Sequence, residues 1–80
     1  MDDYRILKMG DLAANVAKAV IDSGLTWDEG IAGLGVAAKA IAIKASMEGA
    51  GPQDECITRA QSCFQQGMDK AAIVLKHRVG

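Results

Sequence analysis

Apolar residues recur at steps of three and four along the first part of the chain, which is the periodicity of one face of an α-helix. The periodic positions are Ile6, Met9, Ala13, Val16, Ala17 and Val20. We therefore predict a first helix from about Asp3 to Ser23. Asp2 and Asp3 are suitable caps for its start, and Gly24 stands where a left-handed glycine commonly ends a helix.

The beginning of a second helix is the most strongly specified boundary in the sequence. Thr26 and Glu29 have the spacing of a capping box, in which the hydroxyl and the carboxylate each accept a backbone N–H of the other residue. The second helix is thus predicted to begin at Trp27. It ends at the glycine-rich segment 48–52, whose Pro52 suits the first position of a third helix.

The third helix carries an apolar stripe with the same periodicity. Its members are Ile57, Ala60, Phe64, Met68, Ala71 and Leu75. Glycine lowers helix stability, so a break at Gly67 in the third helix or at Gly10 in the first would give a fourth helix. Because no segment alternates as a strand does, we predict one all-α domain over residues 1–80, a bundle of three main helices and possibly four.

The second helix is predicted to be central and apolar on two opposite faces. At about 100° per residue, one face carries Trp27, Ile31, Leu34, Ala38, Ile41 and Ala45, and the other Val36, Ala40, Ile43 and Met47. A helix that is apolar all round is usually buried all round. Either the first and third helices clasp both faces within one chain, or the second face binds another copy.

The small core favours self-association. Half of the 80 residues are apolar, but only 4% are aromatic and many of the rest are alanines. Chains of this size commonly need a disulfide, a metal or a partner for stability. We therefore expect a homo-oligomer, with Val36, Ala40, Ile43 and Met47 as the candidate interface.

Neither a disulfide nor a metal is predicted. Cys56 and Cys63 lie seven residues apart, which is about 10.5 Å along a helix, beyond the Cα separation that a disulfide spans. His77 is the single histidine and lies far from both thiols. The carboxylates cluster at predicted helix starts, where capping explains them. We therefore predict no catalytic residue, no metal and no cofactor.

The net charge and the apolar content of the chain predict where it acts and what it does not bind. A formal charge of −1 gives no general attraction to nucleic acid or to anionic membranes. The chain opens without a basic and apolar leader, and its sequence predicts no apolar run of the length that a membrane span requires. These features predict a cytoplasmic protein that does not enter a membrane.

One segment is similar to a known motif. The quoted elements are Leu25-Thr26-Trp27-Asp28-Glu29, Leu34-Gly35-Val36 and Ile41. They resemble the helix-turn-helix of phage-type repressors, over about a fifth of the chain. The resemblance implies a turn at Gly35 followed by a recognition helix in the major groove, and hence a DNA-binding regulator as the alternative function.

The preferred interpretation is a non-catalytic adaptor or small inhibitor that covers part of a larger protein with a helical surface. The candidate contacts on the third helix are polar: Arg59, Gln61, Gln65, Gln66, Asp69 and Lys70. A further alternative is a small-ligand binder at a subunit interface, with Tyr4, Arg5 and Lys8 as candidate ligand residues.

Overall fold

The structure is a computed structural model that describes the backbone of residues 3–79 and the side chains of residues 3–76. Four helices follow in order: α1 Asp3–Asp22, α2 Trp27–Met47, α3 Gln53–Asp69 and α4 Ala71–Val79. No strand occurs among residues 3–79. The prediction of a small all-α bundle with three long helices is confirmed. The proposed cap at Asp2 and the side chain of His77 lie outside the described residues.

The capping box at the start of α2 forms as predicted. The Thr26 backbone N–H donates to Glu29 Oε1 at 2.9 Å, and the Glu29 N–H donates to Thr26 Oγ1 at 3.4 Å. The hydrogen bond from the Thr26 hydroxyl lowers the pKa of Asp28, and the hydrogen bond from the Thr26 backbone lowers the pKa of Glu29. Gly24 has a φ of 80°, so it supplies the left-handed residue between α1 and α2.

The turn from α2 to α3 is a Schellman motif. Ala50 N–H donates to the Ala45 carbonyl at 3.0 Å and Gly49 N–H to the Ser46 carbonyl at 3.1 Å, with Gly49 at a φ of 97°. The Ser46 hydroxyl also donates to the Gly51 carbonyl at 2.7 Å. Pro52 is the N-cap of α3 and not its first helical residue, so α3 begins at Gln53, one residue later than predicted.

The fourth helix arises from a break at Lys70 and not at either glycine considered above. Lys70 caps α3 through its N–H to the Gln66 carbonyl, and its own carbonyl accepts from Ile73 and Val74 in the next helix. Gly67 lies within α3, and Gly10 lies buried within an unbroken α1. Because the helix restarts at Ala71, Val74 becomes buried and Leu75, on the predicted stripe, becomes exposed.

The helices pack as two pairs. Most contacts join α2 to α3 and α1 to α4, and few join one pair to the other. Where α1 meets α2, the Val20 side chain lies against Gly30 so closely that a β-carbon at Gly30 would overlap it. The first and third helices therefore do not clasp α2 along its length.

Very little apolar surface is fully buried. Among the described apolar side chains, only Ala42 and Val74 are buried. The accessible surface is 6381 Å², whereas a folded monomer of this mass exposes about 4,600 Å². The radius of gyration is 13.7 Å, against about 11.6 Å for a compact domain of this length. The single chain is thus more open than a self-sufficient domain.

Replacing Thr26 tests the capping box. Thr26→Ala removes the hydroxyl that accepts the Glu29 N–H and should lower the free energy of unfolding by about 1 kcal/mol. Thr26→Ser keeps the hydroxyl and should retain most of the stability.

The stability that the capping box gives should depend on pH. Because the pKa values of Asp28 and Glu29 are lowered in the folded chain, the contribution of these carboxylates to the free energy of unfolding is present at neutral pH and is lost as the pH falls through those folded values. Urea titrations at neutral and acidic pH should therefore show a smaller acid-induced loss for Thr26→Ala than for the wild type.

Replacing Gly30 tests the contact between α1 and α2. Gly30→Ala should lower stability by about 1 to 3 kcal/mol because the new methyl overlaps the stiff Val20 side chain. Gly35→Ala is the matched control in the same helix, where a β-carbon meets nothing within 4 Å. It should raise stability by up to about 1 kcal/mol through helix propensity. Equal denaturant midpoints for the two variants would contradict the contact.

Candidate protein interface on the second helix

The side of α2 that faces α3 is built from small residues. Ala42 is buried there, and Ala38 and Ser46 are half-buried, opposite the half-buried Ile57 and Ala60 of α3. Short side chains let two helices approach closely. This contact and the Ser46 hydrogen bond fix which side of α2 is covered.

The opposite side of α2 is uncovered and mostly apolar. We call it the outer face, and it consists of Gly33, Val36, Ala37, Ala40, Ile41, Lys44 and Met47, all of them exposed. At 100° per residue this set is centred roughly opposite Ala42. Val36 is 72% exposed, Ile41 70% and Met47 81%. Large apolar side chains adjacent on one helix face are typical of a binding surface.

Three of the four residues of the predicted oligomer interface are exposed on the outer face, and their role as an interface stays a prediction. Val36, Ala40 and Met47 lie on it, whereas Ile43 is half-buried. Ile41, which was expected to pack inside the chain, is exposed instead. At 100° per residue both isoleucines lie at the edges of the side covered by α3, 100° to either side of Ala42, so periodicity along the helix does not distinguish them.

The other large residues of the face predicted to be internal are also uncovered. Trp27 is 79% exposed and Ile31 is 50% exposed, while Leu34 is half-buried. Few contacts join α1 to α2, and Trp27 and Ile31 are left largely exposed. Their exposure is the main departure from the sequence-based expectation.

Lys44 is the single charged residue of the outer face. Its ammonium lies 4.0 Å from the Glu48 carboxylate one turn later, and both side chains are largely exposed. An exposed pair of this kind contributes little to stability. The pair does reduce the positive charge that the outer face presents to a partner.

A shallow groove of about 320 Å³ runs between α2 and α3. Its lining residues are Gly35, Ala38, Lys39, Ile57, Ala60, Gln61 and Phe64. The groove is mostly apolar, and it places Gln61, one of the predicted partner contacts, beside Lys39. It contains no pair of titratable groups arranged for acid and base chemistry.

The predicted polar contacts on the third helix are all exposed. They are Arg59, Gln61, Gln65, Gln66, Asp69 and Lys70. The Gln65 amide donates to Asp69 Oδ1 at 3.0 Å, a bond within one helix face. The structure therefore presents these groups to solvent, and their role as partner contacts stays a prediction.

Two of the predicted ligand residues near the N-terminus, Tyr4 and Lys8, interact with each other. The Lys8 ammonium lies 5.1 Å from the centre of the Tyr4 ring, within the range of a cation–π contact. Tyr4, Arg5 and Lys8 are all exposed on α1, and they line neither the groove between α2 and α3 nor a second groove beside α3. Binding of a small ligand there stays a prediction.

The cysteines and carboxylates do not assemble into a metal site in the described part of the chain. Among those residues, no group of three histidine, cysteine, aspartate or glutamate side chains lies close enough to hold an ion. Both thiols are free and lie on α3, Cys56 half-buried and Cys63 exposed. A second groove beside α3 is lined by Ala50, Asp54, Glu55, Cys56, Thr58, Arg59 and Ser62.

The expectation that no segment approaches the length of a membrane span is wrong for α2. By length and composition, Trp27–Met47 is apolar enough to cross a bilayer, and little of it is buried inside the chain. One such helix is weak evidence of a membrane protein. The cytoplasmic location stays a prediction.

The structure does not contain the turn that the repressor-like motif implies. Helix α2 runs without a break from Trp27 through Gly35 to Met47. A helix-turn-helix needs two helices joined by a short turn at this point. The segment that resembles the motif therefore forms one capped helix.

Comparisons with known proteins give no relative for this arrangement. No protein-family model matches the chain, and no curated protein or solved structure matches it either.

Two substitutions on α2 test which side of the helix is covered within the chain. Ile43→Asp introduces a carboxylate on the half-buried side and should lower the free energy of unfolding by about 2 kcal/mol more than Ile41→Asp. Ile41→Asp introduces the charge at an exposed position, so the chain should stay helical. The two variants share the same cost of helix propensity, which makes each the control for the other. Circular dichroism during urea titration of the chain at a dilution where it is monomeric measures the difference, and a larger loss for Ile41→Asp would contradict the assigned faces.

Proposed function

We propose that this chain is a non-catalytic protein-interaction module that works as a homo-oligomer, as an adaptor or a small inhibitor that occludes part of a larger protein. The observation that supports this most is the exposed apolar outer face of α2. Val36, Ile41 and Met47 each expose more than two thirds of their surface. Removing such side chains from water is favourable, at roughly 25 cal/mol per Å².

Two surfaces serve two tasks in this proposal. The outer face of α2 is apolar and suits a contact that stays formed, since stable interfaces have apolar cores. The exposed side of α3 is polar and carries Arg59, Gln65 and Asp69, which suits recognition of a larger partner that binds and releases. Occlusion requires only a rigid surface, and helices provide that.

Co-purification from native cells tests the proposal. A tagged wild-type chain should retain at least one protein larger than itself. Arg59→Glu, on α3, should lose that protein by tenfold or more while the helical content stays unchanged, because a charge reversal disrupts a polar contact. Lys18→Glu, an exposed charge reversal on α1, is the control and should retain it.

The outcomes separate the classes of function. Retention of no protein by the wild type would contradict an adaptor or inhibitor. Retention that is equal in Arg59→Glu and the control would contradict the role of α3. Retention of a small molecule in place of a protein, detected by mass spectrometry of the denatured sample, would favour a ligand binder.

A further inference from the structure

We propose that the outer face of α2 binds the outer face of a second copy of this chain in an antiparallel pair, with the two-fold axis beside Ala40. This inference rests on the proposed function and assigns the occupant of one of its two surfaces.

The single chain leaves a large surface area exposed. Its accessible surface of 6381 Å² exceeds that of a typical folded monomer of this mass by about 1,800 Å². A stable protein interface buries about 800 Å² on each partner. The excess is therefore large enough to supply such an interface on this chain.

Residue size differs between the two ends of the outer face. Gly33, Val36 and Ala37 lie before Ala40, and Ile41, Lys44 and Met47 lie after it, so a glycine stands near one end and the long Met47 near the other. Gly33 and Met47 are each seven residues from Ala40, so an antiparallel pair centred there sets Met47 of one copy opposite Gly33 of the other. A β-carbon at Gly33 meets nothing within 4 Å in the single chain, which leaves room for that side chain.

The positive charge of Lys44 also favours the antiparallel pair. A parallel pair would set Lys44 beside Lys44 and Met47 against Met47, and it would leave a gap between the two Gly33 residues. The antiparallel pair separates the two Lys44 residues by eight positions, which is about 12 Å along the axis. It also places the positive end of each helix dipole beside the negative end of the other, which is favourable. Self-repulsion is weak because the net charge of the chain is −1.

A lipid bilayer is the other surface that an apolar helix of this length could meet. Helix α2 is packed along α3, whose described residues include Asp54, Arg59, Gln65 and Asp69. Such side chains are costly to bring into hydrocarbon. The folded arrangement therefore favours a protein surface over the interior of a membrane.

Cysteine cross-linking of the whole chain tests the arrangement. In a background of Cys56→Ser and Cys63→Ser, Ala40→Cys should form a disulfide-linked dimer on mild oxidation, because the two-fold axis brings residue 40 next to its mate. Met47→Cys should yield at least tenfold less, because its mate lies about 21 Å away along the axis, beyond the reach of a disulfide. Efficient cross-linking of Met47→Cys would show a parallel pair and overturn the inference.

Mass measurement gives a second test that does not depend on oxidation. Light scattering at concentrations of hundreds of micromolar should give twice the chain mass for the wild type. Gly33→Leu should give the mass of one chain, since it fills the space for Met47. Gly67→Leu is the control on α3, where a β-carbon also meets nothing within 4 Å, and it should stay dimeric. A dimeric Gly33→Leu variant overturns the arrangement.

The failure of this inference can be told from the failure of the proposed function. A monomeric wild type that still retains a larger protein excludes the second copy but leaves the interaction module. A wild type that floats with phosphatidylcholine–phosphatidylglycerol vesicles, and is monomeric without them, shows that lipid covers the outer face. Either result overturns the antiparallel pair.

Discussion

The close contact between the small residues of α2 and α3 determines most of this structure. Ala42 is one of only two buried apolar side chains among the described residues, and it lies on the side of α2 that packs against α3. The Ser46 hydroxyl joins the same side of α2 to the Gly51 carbonyl in the connecting turn. Once α3 is held there, the opposite side of α2 stays exposed and has no partner among the residues that the structure describes. The exposed outer face is therefore a consequence of how the two helices pair.

The shortage of buried surface links the fold to its proposed role. A domain needs to bury enough apolar area to offset the entropy of ordering its residues. This chain arranges its helices in two loosely joined pairs, and its accessible surface is larger than that of a folded monomer of equal mass. Assembly through α2 would remove apolar surface from water and add the stability that the single chain lacks. The burial of the same apolar surface would then drive binding and stabilise the fold.

The three functional hypotheses for α2, a DNA-binding motif, a membrane span and a protein interface, require different things of the helix. The repressor-like reading requires a turn at Gly35, and the helix has none there. A membrane span requires lipid around the helix, yet α3 packs along it with polar and charged residues. A protein interface requires only an exposed apolar face on a rigid helix, and the outer face provides this. The same sequence features that suggested the other two classes, a capped start and an apolar length, are also what an interface helix needs.

The sequence by itself determined the local structure of this protein. The capping box at Thr26, the glycines at 24 and 49 and the periodic apolar positions act within a few residues, so the helix starts and ends were predictable to within one residue at most boundaries. The break at Lys70 was missed because it has neither a glycine nor a proline to mark it. Only the tertiary structure decided which side of α2 is covered. Ile41 and Ile43 are equally apolar and lie at equal angles on either side of Ala42, yet Ile41 is exposed and Ile43 is half-buried. That choice depends on the crossing of helices distant in sequence, which periodicity along one helix does not encode.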